Sequence, residues 1–184
     1  MTGMVEPGAM GEVTTESGTG DVARSFERFF QDEYERLGRA LYLVTGDRTE
    51  AEDVAQEAMV RVCERWDRVT NTDSPVGYLY RTALNLHRSR VRRAAVRLRR
   101  RPQTASADPF ATAEDRDELG HLLGSLPDGQ REALVLVAWH GMSDEEAGAI
   151  LGIEPVSVRV RVSRAKATLR ASRRDEPDEE GDDR

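Results

Sequence analysis

Apolar residues recur every three or four positions along most of this chain, which is the period of an α-helix that buries one face. The first such stripe predicts a helix that ends at Gly46. Residues 1–22 are rich in Gly, Ser, Thr and Glu and show no period, so they are predicted to be a disordered extension. The apolar positions of the first helix are Phe26, Phe29, Phe30, Tyr34, Leu37, Leu41 and Val44.

Two more helices are predicted before residue 100, and each has a recognisable start. Asp47 and Thr49 each precede a glutamate at capping-box spacing, so either can cap a helix that runs to about Asp67. Pro75 can open the third helix, because proline is favoured in the first turn. Residues 23–100 are therefore predicted to form a small helical domain. Its inward positions on these two helices are Val54, Ala58, Val62, Trp66, Tyr78, Leu79, Ala83 and Leu86.

A second set of helices is predicted after residues 101–112, whose two prolines and lack of period indicate a flexible linker. Short helices are expected over 113–125 and 128–140, followed by two helices around a glycine turn in SDEEAGAILGIEPVSVRVRVSRAKATLR. The predicted fold is all-α, with two small helical domains and a helix-turn-helix at the end of the second, residues 113–174. The candidate core of this domain is Leu126, Leu134, Leu136, Val137 and Trp139.

The last predicted helix carries the chemistry of a DNA reader. A helix-turn-helix places its second helix in the major groove, where basic side chains meet phosphates and base edges. Arg159, Ser163 and Arg164 share one helical face with Val160, and these three polar residues are predicted to read bases. Arg161 points about 200° away from Arg159 and is predicted to contact phosphate. The positions predicted to face the core are Val158, Val162, Ala165 and Leu169.

The net charge of −7 at first argues against a nucleic-acid partner, but the charge is unevenly distributed. Residues 1–25 and the tail at 175–184 are acidic, whereas residues 87–101 contain eight arginines and no acid. A basic patch matters more for nucleic-acid binding than the total charge. The alternative is a solvated surface that only keeps the chain soluble, and composition alone leaves both interpretations open.

Several functional classes find no support in the sequence. It shows no apolar run long enough to cross a membrane and no secretory signal. Its one cysteine, Cys63, can form no internal disulfide, which is typical of the reducing cytoplasm. The three histidines His87, His121 and His140 have no metal-ligand spacing around it, and no phosphate-binding glycine loop or nucleophile–base arrangement is apparent. We therefore expect a cytoplasmic protein that is not an enzyme and needs neither metal nor cofactor.

Four stretches, in this order, carry a family resemblance. They are LYLVTGDRTEAEDVAQEAMVRVCERW, GYLYRTALNLHRSRVRR, LPDGQREALVLVAWHGMSDEEAGAILGI and VRVRVSRAKATL. Over about residues 26–174 the chain resembles bacterial RNA polymerase sigma factors of the two-domain extracytoplasmic-function class. The resemblance implies an alternative sigma factor that binds core RNA polymerase, recognises −10 and −35 promoter elements and promotes promoter melting. It also implies restraint by an anti-sigma factor, without direct insertion into a membrane.

The resemblance assigns roles to two helices of the first domain. The second helix would bind the coiled-coil clamp of the largest polymerase subunit through acidic and amide side chains, with apolar contact beside them. Its candidate residues are Asp53, Gln56, Glu57, Met59 and Val60. The third helix would meet the −10 element, and the loop at 70–77 would receive an unstacked base. The candidate −10 residues are Arg81, Asn85, Arg88, Arg92 and Arg93.

The predicted helix-turn-helix would bind the −35 element. Its candidate residues are Ser157, Arg159, Arg161, Ser163 and Arg164. The chain departs from the family pattern at Val156 and Ser157, where Gly-Thr is usual, and at Glu154, where proline is frequent. Ser163 replaces a frequent aromatic residue or histidine. These departures bear on docking angle and base preference rather than on the presence of the domain.

Two other functions fit parts of the pattern. A stand-alone helix-turn-helix regulator would bind an operator without polymerase, usually as a dimer. It leaves the acidic face at Asp53 and the helix bearing Asn85 without a role. A non-initiating adaptor would bind polymerase through the first domain only, which leaves Arg159 and Arg164 without a role.

Overall fold

The computed structural model describes residues 16–100 and 118–174, which form helices joined by short turns and contain no strand. This confirms the predicted all-α class. The predicted linker at 101–112 and the acidic tail at 175–184 lie outside the described ranges. None of the described helices combines the length and the apolar content needed to cross a bilayer. The helices are α1 (Glu16–Thr45), α2 (Arg48–Cys63), α3 (Trp66–Val69), α4 (Pro75–Arg100), α5 (Glu118–Gly124), α6 (Asp128–Leu134), α7 (Asp144–Leu151) and α8 (Pro155–Arg174).

Helix α2 begins where the capping pattern predicts, and Asp47 rather than Thr49 is the cap. The Asp47 carboxylate accepts a hydrogen bond from the Glu50 N–H at 2.9 Å, which satisfies one of the free donors of the first turn. Gly46, just before it, has a φ of 68°. This left-handed conformation costs glycine little, so the chain can reverse direction between α1 and α2.

Helix α1 begins earlier than the sequence pattern predicts, at Glu16 rather than near residue 23. The prediction of disorder is therefore wrong for residues 16–22, while residues 1–15 lie outside the described part of the chain. Adding a turn to an existing helix costs far less than nucleating one. Residues of low helix propensity, such as Gly18 and Gly20, can therefore extend a helix whose later turns are packed.

The second predicted helix is interrupted before it reaches Asp67. Helix α2 ends at Cys63, and the Arg65 N–H then donates to the Val62 carbonyl at 3.1 Å, which makes a tighter turn. The short helix α3 starts at the next residue, Trp66, in a new direction.

Trp66 joins α3 to α1. Its ring centroid lies 5.3 Å from that of Phe26 and 4.8 Å from that of Phe29. The indole Nε1 donates a hydrogen bond to Ser25 Oγ at 2.8 Å, so the polar edge of the buried ring has a partner. Trp66 therefore belongs to the core, as the helical period predicts.

We expect Trp66→Ala to lower the free energy of unfolding by about 3–5 kcal/mol, the usual cost of truncating a buried tryptophan. Equilibrium unfolding in urea, followed by circular dichroism, would measure the change. Trp139→Ala is the matched control, because Trp139 is 52% exposed and should cost much less. Equal losses for the two variants would contradict this account of the core.

A π-helical turn, Val135–Trp139, follows α6 and decides where Trp139 points. The His140 N–H donates to the Val135 carbonyl at 3.0 Å, one residue further back than in an α-helix. The wider turn rotates the side chains that follow it, so that His140 faces inward and Trp139 faces solvent. The core prediction is therefore wrong for Trp139. It is confirmed for Leu126, Leu134 and Leu136.

The two sets of helices pack against each other around one hydrophobic core. Helix α1 contacts α5 and α6, and α4 contacts α7. Leu41 and Leu79 of the first set and Leu136 and Val158 of the second are among the fully buried side chains. The sequence predicts the two domains but gives no sign of this association.

Candidate nucleic-acid interface

Helix α8 buries one face, and its opposite face is exposed to solvent and carries several arginines. Arg159, Ser163 and Arg164 are exposed, and Ser157 is half-buried in the first turn. The residues predicted to read bases are therefore accessible to a ligand. The buried positions are Val158, Val162 and Ala165, with Leu169 half-buried beside them, as predicted.

The turn before α8 depends on a cap and two glycines. Ser143 and Glu146 form a reciprocal capping box at the start of α7, with hydrogen bonds of 3.2 and 2.8 Å. Gly152 ends α7 with a φ of 71°. A Cβ at Gly148 would lie 2.8 Å from the carbonyl oxygen of Ile153, so this glycine lets the chain cross close above α7. These contacts fix the angle between the two helices of the motif.

Two arginines of α8 already have neighbours within the chain. Arg159 Nε lies 3.2 Å from Asp144 Oδ2, while the Arg159 side chain is 64% exposed. An exposed pair of this kind is worth at most about 1 kcal/mol, so the guanidinium can exchange the carboxylate for a DNA group. Arg161 is half-buried, and a Cβ at Gly129 of α6 would lie 2.9 Å from its Nη1. Its contact with phosphate stays a prediction.

Most of the candidate −10 residues form one stripe along α4. Arg81, Asn85, Arg88 and Arg92 are spaced by four, three and four positions, which places them on one helical face. Asn85 and Arg92 are exposed, as is Arg93, which lies off the stripe. The residues Arg81, Asn85, Arg88 and Arg92 are called the α4 stripe below.

The second set of helices covers part of the α4 stripe. Arg88 forms a bidentate ion pair with Glu132 of α6, at 2.8 Å from Nε to Oε1 and 2.5 Å from Nη2 to Oε2. Glu132 is only 3% exposed, and its hydrogen bonds with Arg88 raise the pKa of that guanidinium. At the other end of the stripe, Arg81 donates to the carbonyl oxygen of Ala149 in α7. Two candidate −10 residues are therefore engaged by the domain that carries the helix-turn-helix.

The loop before α4 also faces the second domain. A cleft of 660 Å³ is lined by five loop residues together with His140 and Ile150, and the five are Thr72, Asp73, Ser74, Val76 and Gly77. Ser74 Oγ accepts a hydrogen bond from the Gly77 N–H at 2.9 Å, which holds the loop at the start of α4. The loop predicted to receive an unstacked base thus shares a cleft with the helix-turn-helix domain.

Arg131 and His140 also hold the domains together. Arg131 of α6 donates from Nη1 to the Val44 carbonyl, at the end of α1, at 2.7 Å. The His140 ring packs edge-on against Tyr80, with centroids 4.6 Å apart, and its Nε2 lies 3.8 Å from Glu33 Oε2. Burial raises the pKa of Tyr80, so this phenol stays neutral at the domain interface.

Helix α2 exposes a stripe of acidic, amide and apolar side chains. Asp53, Gln56 and Val60 are exposed at positions i, i+3 and i+7. Glu57 completes the stripe but is half-buried, with Arg61 Nη2 at 2.6 Å and Arg90 Nη2 at 2.8 Å from its carboxylate. The hydrogen bond from Arg90 is the main reason that the pKa of Glu57 lies below its usual range. These four residues are called the α2 stripe below.

Met59 is not part of this surface. Its side chain is 3% exposed and packs in the core, because position 59 falls on the inner face of α2 next to Ala58. The prediction that Met59 offers apolar contact to a partner is therefore wrong. Val60 retains that role as a candidate.

Two family models match this chain. Residues 29–105 match sigma-70 region 2, and residues 116–169 match sigma-70 region 4. The chain is 31% identical over 148 residues to the RNA polymerase sigma-E factor of Streptomyces avermitilis, spanning 79% of this chain and 83% of the relative. It is 32% identical over 138 residues to the ECF RNA polymerase sigma factor EcfG of Rhodopseudomonas palustris, spanning 70% and 74%.

This chain belongs to the sigma-70 family, in its extracytoplasmic-function class. A solved structure of CnrH in complex with the cytosolic domain of CnrY is similar as well, with a TM-score of 0.63 and 30% identity. That similarity covers 84% of this sigma factor and 90% of the CnrH chain. The resemblance predicted from the four sequence stretches is therefore confirmed.

The domain interface of this sigma factor uses residues that sequence reasoning missed. Glu132, Arg131 and His140 lie in helices that were recognised, but none was assigned a role. The available signal was Glu132, which stands one helical turn before the buried Leu136 and so interrupts an apolar face. A carboxylate in such a position needs a buried cationic partner. Nothing in the sequence indicates that the partner is Arg88 of the other domain.

Proposed function

We propose that this sigma factor binds core RNA polymerase, directs it to promoters with −10 and −35 elements, and helps to melt the DNA at the −10 element. One observation carries the proposal: a single chain displays the α2 stripe, the α4 stripe and the exposed arginines of α8. The first two surfaces fall in the match to region 2 and the third in the match to region 4. The catalytic chemistry would belong to the polymerase.

The α2 stripe is the proposed polymerase-binding surface. Asp53 and Gln56 are exposed, and within the described residues neither side chain forms a hydrogen bond or an ion pair. Fixed carboxylate and amide groups of this kind suit a basic partner, with Val60 as the apolar neighbour. Glu57 already binds two arginines, so it would contribute less free charge than Asp53.

The α4 stripe and the exposed face of α8 are the proposed DNA surfaces. The exposed Asn85 amide can donate to and accept from a base edge, while the arginines of α4 can bind phosphates. Arg159, Ser163 and Arg164 would read the −35 element from the major groove. Holding both domains on one polymerase raises the effective concentration of each for its own element, so neither needs tight affinity alone.

An anti-sigma factor is the proposed regulator. The related structure contains CnrH bound to the cytosolic domain of CnrY, and this chain resembles CnrH over most of its length. We place this sigma factor in the cytoplasm, where core polymerase and DNA are found. A stand-alone regulator would leave the α2 stripe without a role, and an adaptor would leave the exposed arginines of α8 without one.

Transcription in vitro tests the function directly. Purified core polymerase would be supplied with fragmented genomic DNA from the source organism, with and without this protein. We expect new start sites that share two spaced upstream elements. An absence of new starts, with polymerase that responds to another sigma factor, would overturn the proposal.

We expect Asp53→Lys combined with Gln56→Ala to weaken binding to core polymerase about tenfold or more, because it replaces an attractive charge with a repulsive one. Fluorescence anisotropy of labelled sigma factor titrated with core polymerase would measure the affinity. Glu52→Lys is the matched control, since Glu52 is exposed on another face of α2 and pairs with Arg48. Loss of affinity in the control alone would place the polymerase contact elsewhere on α2.

A further inference from the structure

The centre of the exposed face of α8 is apolar. Val156 is 59% exposed and Val160 43% exposed, one helical turn apart. At about 100° per residue, both point roughly 150–170° away from the mean direction of the buried residues of this helix. Ala167 continues the same line and is also exposed. These three residues form the valine ridge, which contributes nothing to the core.

Cationic and polar groups border the valine ridge. Arg159 lies on one side of it and Arg164 on the other, and both are exposed. Ser163 lies between them, next to the ridge. A ligand of this face must therefore be apolar along its middle and anionic along its edges.

DNA offers this combination in one place. The C5-methyl group of thymine is the apolar group on the base edges of the major groove, and phosphates border that groove on both sides. A valine side chain cannot donate or accept a hydrogen bond, so it can favour a base only through apolar contact or shape. The two arginines would meet phosphates or guanine edges while the ridge lies against the floor of the groove.

We propose that Val156 and Val160 contact thymine methyl groups in the −35 element, so that part of the base preference of this sigma factor is apolar. The inference rests on the proposed function, because it presumes that α8 enters the major groove of a −35 element. It adds residues and a base to that function, namely two valines outside the predicted −35 set and thymine as the base they favour.

Replacing thymine by deoxyuridine tests the contact, since it removes the C5-methyl group and leaves base pairing unchanged. Each thymine of the mapped −35 element, on either strand, would be replaced in turn, and the affinity of the holoenzyme measured. We expect at least one replacement to weaken binding about fourfold, the effect of one buried methyl group. Val156→Ala or Val160→Ala should weaken binding to unmodified DNA by a similar factor. For the variant that removes the contact, replacing thymine by deoxyuridine should then cause no further loss of affinity.

Val22→Ala is the matched control, because Val22 is also an exposed valine, on α1, and should keep the full deoxyuridine effect. A −35 element without thymine, or deoxyuridine without effect while the holoenzyme still initiates there, would overturn the inference and leave the proposed function intact. The inference would also be overturned if a valine variant bound both DNAs more weakly but still lost affinity when thymine was replaced by deoxyuridine. A holoenzyme that initiates at no promoter would overturn the proposed function itself.

Discussion

Replacing both Arg159 and Arg164 with glutamate is expected to reduce promoter-dependent transcription roughly a hundredfold or more. A well-placed arginine contributes about 1–3 kcal/mol of base discrimination, so two losses total about 2–6 kcal/mol, or roughly thirtyfold to ten-thousandfold. The reversed charges would also repel the phosphates on both sides of the groove. Both side chains are exposed, so the reversal acts mainly on the ligand rather than on the core.

The measurement is run-off transcription from a mapped promoter with saturating core polymerase. Arg28→Glu, an exposed reversal on α1, controls for net charge and should retain most activity. Arg159 pairs with Asp144, so the single variant Arg164→Glu separates loss of DNA contact from strain in the helix-turn-helix. A double variant that binds core polymerase and initiates normally would remove α8 from the promoter-reading role.

The helical period and the caps predicted much of the fold. The buried faces of α2, α4 and α8 follow from the three- and four-residue spacing of their apolar residues, as Val54, Leu79 and Val158 illustrate. The start of α2 follows from Asp47, whose short carboxylate reaches a free N–H of the first turn. Such features depend on residues close in sequence, so the sequence reveals them.

Other features depend on which element covers a residue, and the period of a single helix does not contain that information. Met59 lies at the edge of the inner face of α2 and is buried because neighbouring helices cover that edge, whereas Val60 is exposed on the opposite side. Trp139 is turned outward by a π-helical turn that no propensity signalled. The family resemblance supplied roles for the α4 stripe, but it did not indicate that Arg88 binds Glu132.

Glu132→Gln is expected to increase the affinity of the free sigma factor for −10 DNA about tenfold. Two of the five N–H donors of Arg88, those that form its bidentate fork, bind the Glu132 carboxylate, so Glu132 competes with a DNA phosphate for this guanidinium. Breaking a fully buried ion pair costs about 3–5 kcal/mol. The Arg88 side chain is 32% exposed and Gln keeps one acceptor, so we expect roughly 1–2 kcal/mol, or about tenfold in the balance between closed and open forms.

Anisotropy with a labelled single-stranded −10 oligonucleotide would measure this affinity. Glu27→Gln makes the same change of charge at an exposed site on α1 and should leave the affinity for the oligonucleotide unchanged.

The exposed Cys63 allows a direct test of domain opening. One dye on Cys63 and a second on Ala171→Cys of α8 would report the distance between the domains by energy transfer. Higher affinity with lower transfer would identify the Arg88–Glu132 pair as a latch between the domains. Higher affinity without a change in transfer would mean that Glu132 acts through its charge alone, and unchanged affinity would mean that Arg88 is not the group that DNA must capture.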